Sequence, residues 1–577
     1  MSGGHLARRM HLVNPFDYFS KPGMPTRPFN ALTSTRRWPP SQWIAACLAL
    51  CVLAPVLVLA ALAASGETGH WLNLLQNVLP VSLSNTVVLL LGVGVLSALI
   101  GGGSAWLTTA YLFPTRRLVT WGLLLPLAVP TYIMAFAYLD VLHPLGPIQS
   151  LIRDLLGYDS PRQFRLPDLR SMPGAIILLG LVLYPYVYLS VRVMFMTQAA
   201  SLLEAARTLG CSRREAFWRV VVPLARPAMA VGLSLALLET LNDVGASEFL
   251  GIQTMTISIY TTWITRSNLQ GAAQIAIVML AVVTLLIYME RYARRRQRYA
   301  ITQRMHPIQP VQLRGFAALV AMLLGWFPII TGFIIPFWFL VNESFKRLSS
   351  LEALSAELSR ATYNTVSVSL AATVVTIGCG LLIAWSARHA RSGMARLLAR
   401  CSSLGYAIPG TVLATGLLIP YSWLDQLISG VLNALAGIPP QLYIMGSAAG
   451  IVCAYTLRFM AISVGSIESG LARIPPSLEQ ASRSLGHSAF RSFLRVHFPL
   501  LRPALGAAAL LIFVDAMKEL SATLLLRPLN FETLSTWLYA EAARGTYDEG
   551  AIAALIIVFA GLIPVILLAR TQLKANY

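Results

Sequence analysis

Four carboxylates stand inside stretches that are otherwise apolar enough to cross a bilayer. Glu239 and Asp243 lie in ETLNDVGASEFLG, and Asp515 and Glu519 lie with Lys518 in DAMKELSATLLLRP. Within each pair the spacing is four residues, which predicts that both carboxylates share one face of a helix. Ionisable groups at such depth are costly and face a cavity or a partner. Two chemistries fit: an acidic lining for a cationic cargo, or intramembrane pairs such as Asp515 with Lys518 that tie spans together. Both stay open for the carboxylates, and Lys518 is read as structural. No tight metal site is expected. The six cysteines (Cys47, Cys51, Cys211, Cys379, Cys401 and Cys453) contain no CxxC pair, and several sit in spans, where Cys acts as a small apolar residue.

The elements that must position these groups are membrane helices. The chain has 577 residues, 56% of them apolar and only 12% charged, with a mean hydropathy of +0.66. A span needs roughly 20 apolar residues. Such windows recur near 43–64, 83–107, 118–142, 174–194, 228–250 and 272–288, and again near 317–340, 365–386, 404–420, 443–462, 504–526 and 551–568. Lipid-facing backbone must bond within its own segment, so these are helices. The expected class is an all-α polytopic membrane protein of about twelve transmembrane helices. Its parts are a cytoplasmic tail at 1–42, a first membrane domain at 43–290, a basic linker at 291–314 and a second membrane domain at 315–577. The tail is polar and long and is read as no cleavable signal.

The formal charge of +20 follows from topology rather than from nucleic-acid binding. With the N-terminus in the cytoplasm, twelve crossings leave about 33 of the 44 Lys and Arg on the cytoplasmic side and about 10 outside. The basic runs at Arg36-Arg37, Arg116-Arg117, Arg291 to Arg298 and Arg388 to Arg400 flank spans, where anionic headgroups attract them. No basic face interleaved with aromatics lies away from the membrane flanks.

The two sets of windows are copies. Asn85-Thr86, Ala105-Trp106 and Pro130 recur at a spacing of 279 as Asn364-Thr365, Ala384-Trp385 and Pro409. At a spacing of 276, Arg207, Leu209, Gly210, Ser212, Phe217, Arg219, Pro223, Leu224, Arg226 and Pro227 recur as Arg483, Leu485, Gly486, Ser488, Phe493, Arg495, Pro499, Leu500, Arg502 and Pro503. Gly271-Ala272 and Gly550-Ala551 return to 279. Each half crosses an even number of times, so the six-helix repeats are parallel rather than inverted.

The longest matched polar loop runs from Ser201 to Pro227 and from Ser477 to Pro503. It reads as helix, turn, helix. Ser201 with Glu204 and Ser477 with Gln480 predict capping boxes, as does Ser212 with Glu215, whereas Ser488 has Arg491 in that place. Gly210 and Gly486 suit the left-handed position that ends the first helix. Pro227 and Pro503 suit the first turn of the following span. The loop resembles the signature segment of binding-protein-dependent ABC importer permeases, whose coupling helix docks on a cytoplasmic ATPase. That resemblance assigns coupling to Glu204, Ala205, Ala206 and Gly210, and to Gln480, Ala481 and Gly486. The second copy departs from the pattern at Gln480 and Ser482.

The chain itself carries no phosphate loop. None of Lys21, Lys346, Lys518 and Lys574 follows a glycine, so ATP and Mg are expected on a partner ATPase dimer and no cofactor in this chain. The chain after residue 40 resembles the fused permeases of ferric iron ABC importers, through 239–251, through Lys518-Glu519-Leu520-Ser521-Ala522-Thr523 and through Arg527-Pro528-Leu529-Asn530-Phe531. The resemblance implies the type I importer permease fold, a bacterial inner-membrane location with both termini cytoplasmic, and a periplasmic binding protein that delivers iron. In that family the permease needs only a weak translocation path, and on the first of the two readings given above the oxygen donors of Glu239, Asp243, Asp515 and Glu519 suit a hard trivalent cation. Fused permeases for thiamine or another small cation share the architecture. A secondary transporter would need coupling-ion residues and no docking loop. A membrane-embedded enzyme using the acidic pairs would need a catalytic domain, and the outer loops are short.

Overall fold

In a computed structural model that describes residues 40–65, 68–294, 310–349, 356–389, 397 and 400–574, the long apolar runs are helices. Among the described residues 10 helices are long and apolar enough to cross a membrane, or 12 when each of two bent pairs counts as one span. The all-α architecture expected from hydropathy is therefore met. The first helix already starts at Pro40. Most of the tail, most of the linker and much of the basic run between Arg388 and Arg400 lie outside the described residues.

Two expected straight spans are broken. Residues 116–128 and 131–141 meet at 96°, and residues 400–407 and 410–436 meet at 117°. The breaks fall at Pro130 and Pro409, the recurring prolines of the duplication. Proline lacks an N–H and drives the residue before it out of the helical region; Val129 has φ −101° and ψ 112°, and Ile408 has φ −82° and ψ 109°. Another predicted window shifts: the chain is still a loop at Tyr443, and the span runs from Ala448 to Ala472. Buried Asp425 holds that loop by accepting the N–H groups of Tyr443, Ile444 and Met445 at 2.9, 2.7 and 3.0 Å.

Proline also explains the wide π turns. They occupy Leu74–Val78, Phe217–Val221, Ile330–Ile334 and Phe493–His497. Two residues after each stands a proline: Pro80, Pro223, Pro336 and Pro499. A proline ring crowds the carbonyl four residues back, and one widened turn relieves the clash while the helix continues.

The halves interlock through their first spans. Pro40–Ser65 packs on Gly410–Ala436, so closely that a Cβ on Gly416 would stand 2.6 Å from the Pro55 carbonyl oxygen. In return, the first span of the second half lies on the first half. Trp326 Nε1 donates to Thr115 Oγ1 at 3.1 Å, and Tyr138 Oη donates to the Thr331 carbonyl at 2.6 Å. A two-residue parallel pairing of Tyr111–Leu112 with Val311–Gln312 adds a further tie. The two largest apolar clusters accordingly each draw side chains from both halves.

The recurring dipeptides are staples. Asn85 Nδ2 donates to the Gln253 carbonyl at 3.2 Å, and Thr86 Oγ1 accepts the Met255 N–H at 3.0 Å. Asn364 and Thr365 repeat both bonds to the Glu532 carbonyl and the Leu534 N–H at 2.9 and 2.7 Å. They fix the N-termini of the equivalent helices Met255–Ile264 and Leu534–Arg544. Trp106 packs on Phe217 and Trp385 on Phe493, at ring distances of 5.2 and 4.8 Å. Replacing Thr86 or Thr365 with Val leaves a buried N–H unpaired, a loss of about 1–3 kcal/mol. Each single variant should melt below wild type in detergent and the double variant lower still; unchanged melting would show that the staples carry no stability.

Candidate functional site

The helix Val222–Asn242 ends just before Asp243, and the chain restarts as the short helix Gly245–Phe249. Its counterpart Phe498–Met517 ends likewise and restarts as Ser521–Leu526. The expectation that each carboxylate pair shares one helical face is thus corrected: Glu239 and Asp515 lie before the break, Asp243 and Glu519 beyond it. Backbone geometry is the reason, since Asp243 has extended torsions of φ −76° and ψ 116°.

A broken helix inside a bilayer frees backbone groups that lipid cannot satisfy, so they must find partners in protein or in a cavity. The two carboxylates answer that need. Asp243 accepts the Ser247 N–H at 2.8 Å, the Ser247 hydroxyl at 3.2 Å and the Thr131 hydroxyl at 2.6 Å. Glu519 accepts the Ala522 N–H at 2.9 Å and Arg458 Nη1 at 3.0 Å. Some further groups are bonded within their own half, as Thr256 Oγ1 to the Leu241 carbonyl and Ser535 Oγ to the Glu519 carbonyl, and others across the duplication. Gly410 N–H donates to Asn242 Oδ1 at 2.8 Å, Ser521 Oγ to the Asn242 carbonyl at 2.7 Å and Tyr132 Oη to the Lys518 carbonyl at 3.3 Å.

Between the two breaks lies a cavity of about 90 Å³, lined by Glu239, Asp243, Asp515 and Glu519 together with Arg458 and Lys518. All four candidate path residues meet there. Four carboxylates face two cations, so the lining is formally acidic. Lys518 Nζ pairs with Asp515 Oδ1 at 2.8 Å, and Glu239 accepts a hydrogen bond from Tyr406 Oη at 2.8 Å. Arg458 and Tyr406 were missing from the sequence reading. Arg458 carried a signal, as the one arginine in the Ala448–Ala472 helix; Tyr406 carried none. Glycine at 410 admits the guanidinium, because a Cβ there would stand 2.0 Å from Arg458 Nη1.

The polar loops are unequal. In the first half one helix runs unbroken from Met172 to Thr208, so Ser201 is interior and does not cap a helix start. In the second half the chain stops after Ala472 and restarts at Pro476, with Pro475 in the cap position and no side-chain cap. Ser477 is therefore inside the helix, and the capping box expected with Gln480 is absent. The prolines at 475 and 476 impose the break; Ala199 and Ala200 stand at the equivalent places. Pro227 and Pro503 also differ from expectation, lying inside their helices, with Pro223 and Pro499 at the starts.

The turns themselves agree with expectation. Gly210 and Gly486 have φ +87° and +80°, and the N–H of Cys211 and His487 reach back to the Ala206 and Ser482 carbonyls at 3.1 and 3.2 Å. Ser212 and Glu215 form the reciprocal box, while Ser488 keeps only its bond from the Arg491 N–H. Hydrogen bonds from the backbone and hydroxyl of Ser212, with Arg219 nearby, hold the Glu215 carboxyl below its ordinary pKa. Ala206 is buried, and Gln480, Ala481 and Gly486 are exposed. The side chains of Glu204 and Ala205 fall outside the described ones. At the tips stand two leucines, Leu209 at 85% and Leu485 at 77% exposure. In the second loop Glu479 forms an ionic anchor, 2.7 Å from Arg483, 3.9 Å from Arg388 and 3.8 Å from the ring of His497; in the first, Glu215 lies 4.0 Å from Arg219.

Removing one member of a buried ion pair costs about 3–5 kcal/mol because the other charge stays behind. Glu519→Gln should therefore lower the melting temperature in detergent markedly, and Arg458→Met with Glu519→Gln should recover part of the loss. Additive losses in the double variant would mean that the two side chains do not act as a pair.

Comparison with known proteins supplies the context for this geometry. The chain is 25% identical to the Fe(3+)-transport system permease protein FbpB 2 of Haemophilus influenzae over 506 residues, 85% of this chain and 90% of the relative. It is 24% identical to the ferric transport system permease protein FbpB of Actinobacillus pleuropneumoniae over 82% of this chain and 69% of that one. The molybdenum transport system permease protein ModB of Escherichia coli is 29% identical, but over 33% of this chain and 85% of its own length. The profile of one family matches twice, at residues 97–299 and 376–574, once in each half. The chain belongs to the binding-protein-dependent transport system inner membrane component family.

Proposed function

We propose that this chain is the fused, two-repeat permease subunit of an ATP-binding-cassette importer that moves ferric iron across the inner membrane. The observation that carries the reading is the extent of the likeness: the ferric permeases align through both repeats, whereas the molybdenum permease aligns over about a third of the chain. Cavity chemistry supports the same cargo. A lining with four carboxylates and two cations favours a hard cation over an oxyanion. The chain serves as a transport subunit and not as an enzyme.

Its partners are a cytoplasmic ATPase dimer, which binds ATP and Mg, and a periplasmic binding protein that delivers the iron. Both termini face the cytoplasm, the side where the basic residues concentrate. Coupling runs through Glu204, Ala205, Ala206 and Gly210 in the first loop and through Gln480, Ala481 and Gly486 in the second. Leu209 and Leu485, exposed at the turns, add an apolar knob to each docking surface. The second loop, anchored by Glu479 and separated from its span by prolines, meets its ATPase through a hinge that the first loop lacks. In the cavity, Glu239 and Asp515 line the path, and Asp243 and Glu519 shape it as caps for the broken helices.

The test is uptake of radiolabelled iron into vesicles containing the permease, its ATPase and its binding protein, with thiamine as competitor. Iron accumulation that requires ATP and ignores thiamine is expected; ATP-driven thiamine uptake without iron uptake would overturn the cargo assignment. Gly210→Val and Gly486→Val force a β-branched residue into left-handed torsions at about 1–2 kcal/mol each. Both should hydrolyse ATP without importing iron at the wild-type rate. Normal uptake by both variants would remove the turns from coupling.

A further inference from the structure

The two cations of the cavity are held in different ways. Arg458 is sealed against Glu519, with both side chains 7% exposed, and its guanidinium lies 5.8 Å from the Phe459 ring. Lys518 and Asp515, at 32% and 22% exposure, form their pair in the cavity lining itself. The backbone of Lys518 is fixed: its N–H donates to the Val514 carbonyl at 3.3 Å, and its carbonyl accepts Tyr132 Oη at 3.3 Å. The ammonium is not fixed in that way. It rests 2.8 Å from Asp515 Oδ1, at the end of a flexible four-carbon stem. The equivalent place in the first half, 276 residues earlier, carries asparagine. Asn242 commits its side chain to the Gly410 N–H, and Glu239, the counterpart of Asp515, accepts from the phenol of Tyr406. The lysine is therefore an addition to one half rather than part of the shared frame.

We propose that Lys518 is a resident counter-ion that sets the charge selectivity of the path. Its ammonium occupies the acidic lining between transport events, excludes monovalent cations and yields to a multivalent cargo. The role rests on the cation-path reading given above. One charge confined to about 90 Å³ corresponds to a local concentration on the order of 20 M, roughly a hundredfold above physiological salt. A potassium or sodium ion carries the same charge as the ammonium and cannot compete with a tethered rival at that concentration. A trivalent ion attracts the same carboxylate about three times as strongly at equal distance, and it draws on Glu239 as well as Asp515. The ammonium then leaves Asp515 by rotation within its own stem, while the backbone bonds of the break stay in place. When the cargo departs, the ammonium returns to Asp515 and the cavity regains its former charge. No proton or electron moves. Without the lysine, four carboxylates would face one cation, and abundant monovalent ions would take the ammonium's place.

The experiment compares wild type with Lys518→Met, with Lys518→Arg, and with Lys518→Met combined with Asp515→Asn, each as the full chain with its ATPase. Melting temperature in lipid nanodiscs is read in potassium chloride and in the chloride of N-methylglucamine, a far bulkier cation. Import of iron from the charged binding protein is read in vesicles under the same two salts. Lys518→Met should melt higher in potassium, because the ion binds the folded protein, and should import iron about fivefold or more slowly there than in N-methylglucamine. Wild type and Lys518→Arg should respond alike to both salts, and the double variant should lose the potassium effect. A lysine that merely holds its span would give a Lys518→Met variant equally impaired in both salts. That outcome, or a wild type slowed by potassium, would overturn the counter-ion. The melting comparison decides the counter-ion even if wild-type vesicles import no iron, a result that would overturn the cargo reading alone.

Discussion

Everything else in this molecule hangs on two broken helices that meet between the halves. At each break the backbone loses helical partners that lipid cannot replace. The deficit is met by a carboxylate that caps the restarted helix and by groups reaching over from the other half: Ser521 and Gly410 onto Asn242, Tyr132 onto Lys518. Each break is completed in part by the other half, beside bonds from its own half such as Thr256 Oγ1 to the Leu241 carbonyl and Ser535 Oγ to the Glu519 carbonyl. The halves must therefore be joined in one register, and the crossed first spans enforce that register from outside.

This arrangement explains how a permease can hold an acidic cavity in its centre without collapsing. The charges are not free-standing. Asp243 and Glu519 serve as caps, Lys518 answers Asp515 and Arg458 answers Glu519. Each carboxylate of the cavity thus already has a hydrogen-bonding or ionic partner.

Much of the fold was legible in the sequence because hydrophobic length and duplication are strong signals. Windows of apolar residues gave the spans, and the matched Asn-Thr, Ala-Trp and Pro positions proved to be a set of staples and a pair of breaks. The turns at Gly210 and Gly486 were legible because only a residue without Cβ is comfortable at their torsions. The helix breaks at Asp243 and Glu519 were not. An aspartate four residues after a glutamate looks the same whether the helix continues or stops, and the capping partners Thr131 and Arg458 are distant in sequence. The capping boxes expected at Ser201 and Ser477 failed for a related reason. A local motif cannot show that a span runs straight through it, as from Met172 to Thr208, or that a Pro-Pro pair has already begun the helix, as at Pro476.

The central claim is that the carboxylates at the breaks act as caps and shape the path rather than carry the ion. Iron import measured beside melting temperature for Asp243→Asn and Asp243→Ala tests it directly. Asparagine keeps an oxygen to accept the Ser247 N–H and alanine does not. The account predicts near-normal import and melting for the asparagine variant and a destabilised, poorly transporting alanine variant. An asparagine variant that melts like wild type yet imports no iron would show that the charge itself acts on the cargo, and would contradict it.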